Sequence, residues 1–353
     1  MEYHTPKKVR DRGIVIGRLP VGEKNCITDV EGVRVGHVTL DYPMDGLDDY
    51  ACTGVTAILP HGGNLFKDKV TAASCVLNGF GKTTGLFQVN ELGVIESPIM
   101  LTNTFGVPAV TQGTLQYMLK ENPEIGDTTG TINVVVGECN DSHLNSIRRF
   151  PVQPEHAIEA IQKASSHVAS EGAIGAGKGM VCFGYKGGIG SSSRMIEAGG
   201  HSFTVGCLVL SNFGKKEEFR EWEYLLRREE SVPALSKTTD GSIILVLATD
   251  APLSSRQLQR VVKRCGIGLG RTGSHFSHGS GDIVIGITTA RKIPHSTDEL
   301  IEIRSQLRED HPLFNQLFTG AAEAAEEAIL NSLSQAVTTK GRNGHVVHAC
   351  PLQ

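Results

Sequence analysis

Six short runs of Val, Ile and Leu, bounded by Gly or Asp, constrain this chain more than anything else in it. They are GVTAIL (54–59), INVVV (132–136), MVCF (180–183), FTVGCLVL (203–210), SIILVLATD (242–250) and DIVIGITTA (282–290). Each has the length and composition of a β-strand. Residues 243–248 and 283–287 are almost continuously apolar, which predicts strands covered on both faces and therefore a sheet inside other layers.

Helical patterns lie between the strands. PEHAIEAIQKASSHVA (154–169) puts Ile158, Ile161 and Val168 on one face behind Pro154. SSRQLQRVVKRCGIGLG (254–270) offers a Ser cap at 254 or 255, then Leu258, Val261 and Val262, and ends in glycines. FNQLFTGAAEAAEEAILNSL (314–333) carries Phe314, Leu317, Phe318, Ala321 and Ala325 at helical spacing, with Gly320 as a tolerated flaw. Strands mixed with helices predict an α/β layered fold, and 353 residues can form one large domain. The dense charge run 215–230, holding the only Trp, reads as a solvated amphipathic helix. The Ser-, Pro- and Thr-containing stretch 231–241 reads as an exposed connector, the kind of place where a backbone can be cut.

Bulk properties exclude several classes. A formal charge of −4 gives no general attraction to nucleic acid or an anionic membrane. No apolar run reaches the ~18–20 residues that span a bilayer. MEYHTPKKVRDRG at the N-terminus has no apolar signal core, so a cytoplasmic protein is expected. The eight cysteines are scattered singly with no CxxC pair, which predicts reduced core thiols.

Four candidate chemistries can be weighed. GAIGAGKG (172–179) has the GxxxxGK spacing of a phosphate loop, but Gly179 stands where Ser or Thr should hold magnesium. With GYKGGIGSSSR (184–194), which lacks GxGxxG spacing, it reads better as tight turns packed close to a site. His275, His278 and Asp282 are near one another in SHFSHGSGD, a weak metal signal without HExxH. Ser280 has flanking glycines but not the GxSxG of a nucleophile elbow. The junction Gly241–Ser242 remains. A Ser hydroxyl needs a base beside it, and if the chain is cut before Ser242 the new α-amino group, with a typical pKa of about 7.7–8.0, can serve. The plainer alternative is a serine that opens a strand after a glycine turn.

A resemblance bears on that choice. The chain resembles the L-aminopeptidase/D-esterase-amidase family, which includes the β-peptidyl aminopeptidases, through ITDVEGVRVGHVTL (27–40), GVTAILPHGGNLF (54–66), NGFGKTTGLFQVNELGVIESPIMLTNT (78–104), VVVGECND (134–141), GAGKGMVCFGYKGGIGSSSR (175–194), VGCLVLSNFG (205–214), DGSIILVLATDAPL (240–253) and HGSGDI (278–283). The resemblance implies an αββα sandwich like that of N-terminal nucleophile hydrolases but differently connected. It implies a hydrolase domain that cuts itself between Gly241 and Ser242 into an α polypeptide (1–241) and a β polypeptide (242–353), with Ser242 as nucleophile. Ser280 and Asp282 match the family's second serine and acidic residue, and would orient the Ser242 amino or hydroxyl group. The family often has Glu where this chain has the shorter Asp282. Asn212 matches the oxyanion donor, worth ~2.7–4 kcal/mol where such donors have been removed. Glu138 falls where relatives hold the substrate ammonium. Two residues on, some relatives carry an oxyanion-site Tyr where this chain has Asn140. The implied protein is a self-processing serine aminopeptidase/amidase with no cofactor, acting on small peptides, amides or esters with a free amino terminus, as a tetramer of αβ units. Other classes to be distinguished from it are an unprocessed binding or structural protein and a metal hydrolase using His275, His278 and Asp282.

Overall fold

The computed structural model describes residues 6–220 and 241–352. Most of the expected helix 215–230 and of the connector before Gly241 lies outside the described residues. Two sheets form the centre. One is four-stranded, in the order β1 (Arg34–Pro43), β2 (Tyr50–Leu59), β5 (Ile99–Asn103), β6 (Val135–Cys139). The other is six-stranded, in the order β4 (Val94–Ile95), β3 (Asp68–Gly79), β12 (Gly281–Pro294), β11 (Ser242–Thr249), β10 (His201–Asn212), β9 (Gly188–Ala198). A small ribbon, β7 (Val181–Cys182) and β8 (Tyr185–Lys186), precedes β9. The pairs β5/β6 and β11/β12 are parallel; the other pairs within both sheets are antiparallel.

The apolar residues sort into layers. Ile58, Leu101 and Val135 of the smaller sheet meet Leu208, Leu210, Ile244, Val246 and Ile285 of the larger one. The outer face of the smaller sheet packs under α2 (Val107–Glu121) and α3 (Pro154–Gln162). That of the larger sheet packs under α4 (Ser255–Val262), α5 (Cys265–Arg271) and the long α6 (Leu313–Ser334). A short α1 (Leu86–Leu92) lies beside β3. The order helix, sheet, sheet, helix is that of an αββα sandwich, and alternate residues of β11 face opposite cores, as its continuous apolarity predicts.

Three expectations are corrected. GYKGGIGSSSR is not a set of turns: residues 188–194 open strand β9. Gly190 is explained by α6, since a Cβ there would sit 1.9 Å from Ala328 O and 2.5 Å from Ser332 N. Gly190→Ala is therefore expected to destabilise the protein by about 1–3 kcal/mol through overpacking, read as a lower urea midpoint at unchanged slope. The helix at 154 ends at Gln162, because Ser165 pairs with Val35 across an isolated bridge, and Val168 is exposed. The glycines after Val262 do not stop the helical path: α5 contains them, and Gly268 lets it press on α6, where a Cβ would lie 2.3 Å from Ala322 O. The expected helix at 314–333 is present as α6, and it is buried on nearly all sides, in 18 of 22 residues. Its carboxylates tolerate this because Arg194, fully buried on β9, binds Glu323 Oε2 at 3.0 Å and Glu327 Oε2 at 2.7 Å. All eight cysteines are free thiols, seven of them buried. Among the described residues, no helix is long and apolar enough to cross a membrane.

Candidate active site

The sheet register brings the candidate residues together. Ser242, first residue of β11, is paired with Asn212 at the end of β10 on one side and with Gly281 at the start of β12 on the other. Gly281 N–H donates to Ser242 Oγ at 3.2 Å. Ser280 and Asp282 flank that amide, and Ser280 Oγ donates to Asp282 Oδ1 at 2.6 Å. Asp282 is fully buried, and its other oxygen, Oδ2, makes no hydrogen bond. Burial raises its pKa to about 6, against smaller opposing pulls from the Ser280 hydroxyl and the Ile243 amide.

Gly241 owes its identity to a close approach. A Cβ there would lie 2.1 Å from Asn212 O and 2.7 Å from Phe213 Cα, so only glycine lets the chain enter β11 along this path. The carboxamide of Asn212 is fixed at both ends: Val181 N–H donates to Oδ1 at 2.9 Å and Nδ2 donates to Asn140 O at 3.0 Å. A flipped amide would set donor against donor at Val181 and acceptor against acceptor at Asn140, so the orientation is determined. One Nδ2 proton remains for a further acceptor.

Glu138 lies near the end of β6, only 3% exposed. Lys82 N–H donates to its Oε1 at 2.7 Å and the Thr104 hydroxyl donates to Oε2. A Cβ on Gly81 would be 3.5 Å from Glu138 Oε1 and 3.6 Å from Gly281 Cα, so the carboxylate and the Ser242 partner strand share one small space across the two sheets. Asn140 is exposed, and its side-chain Oδ1 accepts from Ser142 N–H at 2.9 Å. Its carbonyl rather than its side chain is what touches Asn212.

His275 and His278 do not join this group as ligands. Both are exposed, whereas Asp282 is buried and bonded to Ser280. Among the described residues, no three His, Cys, Asp or Glu side chains gather into a group able to hold a metal ion. The stretch 172–179 folds as turns around one short 3-10 segment. Sequence reading alone did not single out Thr104 or Val181, because a hydroxyl at a strand end and a backbone N–H carry no pattern until the sheets are assembled.

The model of peptidase family S58 matches residues 25–347. A beta-peptidyl aminopeptidase of Sphingosinicella microcystinivorans is 37% identical over 363 residues, covering 98% of this chain and 89% of the relative. A crystal structure of a protein from Pyrococcus horikoshii OT3 is similar, with a TM-score of 0.88 at 47% identity over 98% of this chain and 96% of that one. So is the L-aminopeptidase D-Ala-esterase/amidase of Ochrobactrum anthropi, described as a prototype for the serine aminopeptidases and a new variant of the Ntn hydrolase fold. Its TM-score is 0.86 at 32% identity, over 98% of this chain and 96% of that one. The layered α/β sandwich is thus the Ntn-hydrolase variant, and the chain belongs to peptidase family S58 as a hydrolase of the serine aminopeptidase/amidase type.

Proposed function

We propose that this hydrolase domain activates itself by opening the Gly241–Ser242 bond, giving α (1–241) and β (242–353) polypeptides, and that Ser242 is then the nucleophile. The observation that supports this most is the buried, unbonded Asp282 Oδ2 beside the first residues of β11. A lone acceptor in the interior is costly, and an α-ammonium or amine released at Ser242 would give it a partner. In turnover, Ser242 Oγ bonds to the substrate carbonyl carbon while its proton passes to the Ser242 α-amine. Asn212 Nδ2 donates to the oxyanion. The C–N or C–O bond to the leaving group then breaks, the leaving group takes the proton from the α-ammonium, and water releases the acyl group by the reverse path. Ser280 and Asp282 orient the amine, and Asn140 shapes the oxyanion side of the site through its carbonyl on Asn212.

The substrate class follows from Glu138. A carboxylate that is buried and held by a backbone amide and a hydroxyl selects a terminal ammonium. Small peptides, amides and esters with a free amino terminus fit it, and relatives named for β-peptides and for D-alanine derivatives make both natural probes. A cytoplasmic homotetramer of αβ units is part of the same proposal. Glu138→Gln keeps the shape but removes the charge, and is expected to lower kcat/KM by about 10- to 100-fold, the scale of one charged hydrogen bond, mostly through KM. The decisive experiment combines denaturing electrophoresis or intact mass with a panel of β-alanyl, L-alanyl and D-alanyl amides. Two fragments with turnover are expected. Full turnover by a chain that stays in one piece would overturn the mechanism.

A further inference from the structure

Among the described residues, Lys186 is a fully buried cation outside the site with no carboxylate bonded to it. It lies at the end of the β7–β8 ribbon, and Nζ donates to Gly177 O at 2.9 Å, Met180 O at 2.8 Å and Gly187 O at 2.7 Å. An ammonium has three N–H donors, so these carbonyls use all of them and leave none for a ligand. Burial pulls the amine's pKa down, and the three carbonyl acceptors are what hold it as an ammonium. A buried lysine at that cost calls for a structural consequence that a methionine could not supply.

The consequence lies in what the three carbonyls enclose. They belong to a turn with glycines at 177, 179, 184 and 187, a segment with high conformational entropy when unconstrained. Its hydrogen bond to the candidate machinery, among the described residues, is the Val181 N–H on Asn212 Oδ1. Val181 follows Met180, whose carbonyl the ammonium holds, and is itself paired with Lys186 across the ribbon.

We propose that Lys186 is a positioning residue for the Asn212 carboxamide: by gathering three carbonyls onto one ammonium it fixes the Val181 N–H against Oδ1, and so keeps Nδ2 turned to the substrate carbonyl. The inference rests on Asn212 being the oxyanion donor. Lys186 touches neither substrate nor Ser242, so it acts on the rate of the step that develops oxyanion charge and leaves ammonium recognition by Glu138 alone.

The test is a double-mutant cycle on processed enzyme, normalised to the cut form, with L-alanyl or β-alanyl p-nitroanilide. Lys186→Met is expected to lower kcat by about 10-fold or more with KM unchanged within about twofold, less than outright loss of a donor. In an Asn212→Ala background the same substitution should add less than about twofold, because the amide it positions is gone. A K186M kcat within about twofold of the native value, or a loss of equal size in both backgrounds, would overturn the inference while leaving the Asn212 reading intact. A harmless N212A would instead remove the Asn212 reading, and this inference with it. Should K186M fail to accumulate as folded protein, Val181→Pro decides the matter, since it deletes the donor with Lys186 in place. It should give the same kcat-only, non-additive loss, and an unchanged kcat would sink the inference.

Discussion

Ser242→Ala is expected to yield a single full-length polypeptide with no measurable turnover. The same atom is asked to do two things in succession, first attacking the Gly241 carbonyl and then attacking substrate, so one methyl should abolish both. Loss of a hydrolase nucleophile costs about 10⁶-fold in kcat in a comparable serine enzyme, which places the variant at background. The fold should survive, because Ser242 contributes one accepted hydrogen bond from Gly281 N–H and its strand pairing with Asn212 and Gly281 needs only the backbone. Intact mass on the native protein and the variant, followed by an amide assay, reads both outcomes. The experiment also separates the serine mechanism from its rivals. A native protein that never splits, yet binds amino-terminal amides without turning them over, would be a binding protein on a hydrolase fold. Activity retained by the S242A chain would require a different nucleophile altogether.

How much of this was legible before the fold was assembled depends on what each residue answers to. The strands β10, β11 and β12 were visible because a strand buried on both faces must be apolar along its whole length, a local property. Strand β9 was not, since its GIGSSSR composition answers to a helix far away in sequence: Gly190 clears Ala328 O and Ser192 Oγ donates to Ala324 O. For the same reason the glycines of α5 looked like a stop signal, when one of them, Gly268, is what lets the helix press on α6. Ser242, Ser280, Asp282, Asn212 and Glu138 became candidates through motif likeness, and pattern alone favoured reading Ser242 as a plain strand opener. What no pattern could supply is the Thr104 hydroxyl on Glu138, the Val181 amide on Asn212 and the vacant oxygen of Asp282. Each depends on two segments meeting across sheets, and none has a spacing to read.

Self-cleavage and substrate turnover should show different acid limbs, and Asp282 is the reason. Before the bond opens, Ser242 has no α-amine, so the proton of its hydroxyl must leave by another route. Asp282, bonded to Ser280 next to the Gly281 amide that donates to Ser242 Oγ, is the carboxylate we propose as acceptor for that route. With a pKa raised to about 6 by burial, it is a competent acceptor above that pH and is protonated below it. The rate of cleavage in freshly refolded precursor is therefore expected to fall as pH drops through about 6. Asp282→Asn should remove that limb and slow cleavage by about 10²- to 10⁴-fold, the usual share of a general base. Turnover by the cut enzyme should instead lose activity nearer the range of an α-amino group, about 7.7–8.0 before local shifts, because there the amine is the base. Stability should move the opposite way from cleavage. A carboxylic acid whose folded pKa lies above its unfolded value stabilises the fold at low pH, and that contribution is lost as pH rises from about 4 to about 6. The native precursor should therefore lose melting temperature relative to the D282N variant across the same interval in which its cleavage rate climbs. Coincident limbs for cleavage and turnover, or a cleavage profile unchanged in D282N, would mean the proton leaves Ser242 by some other group.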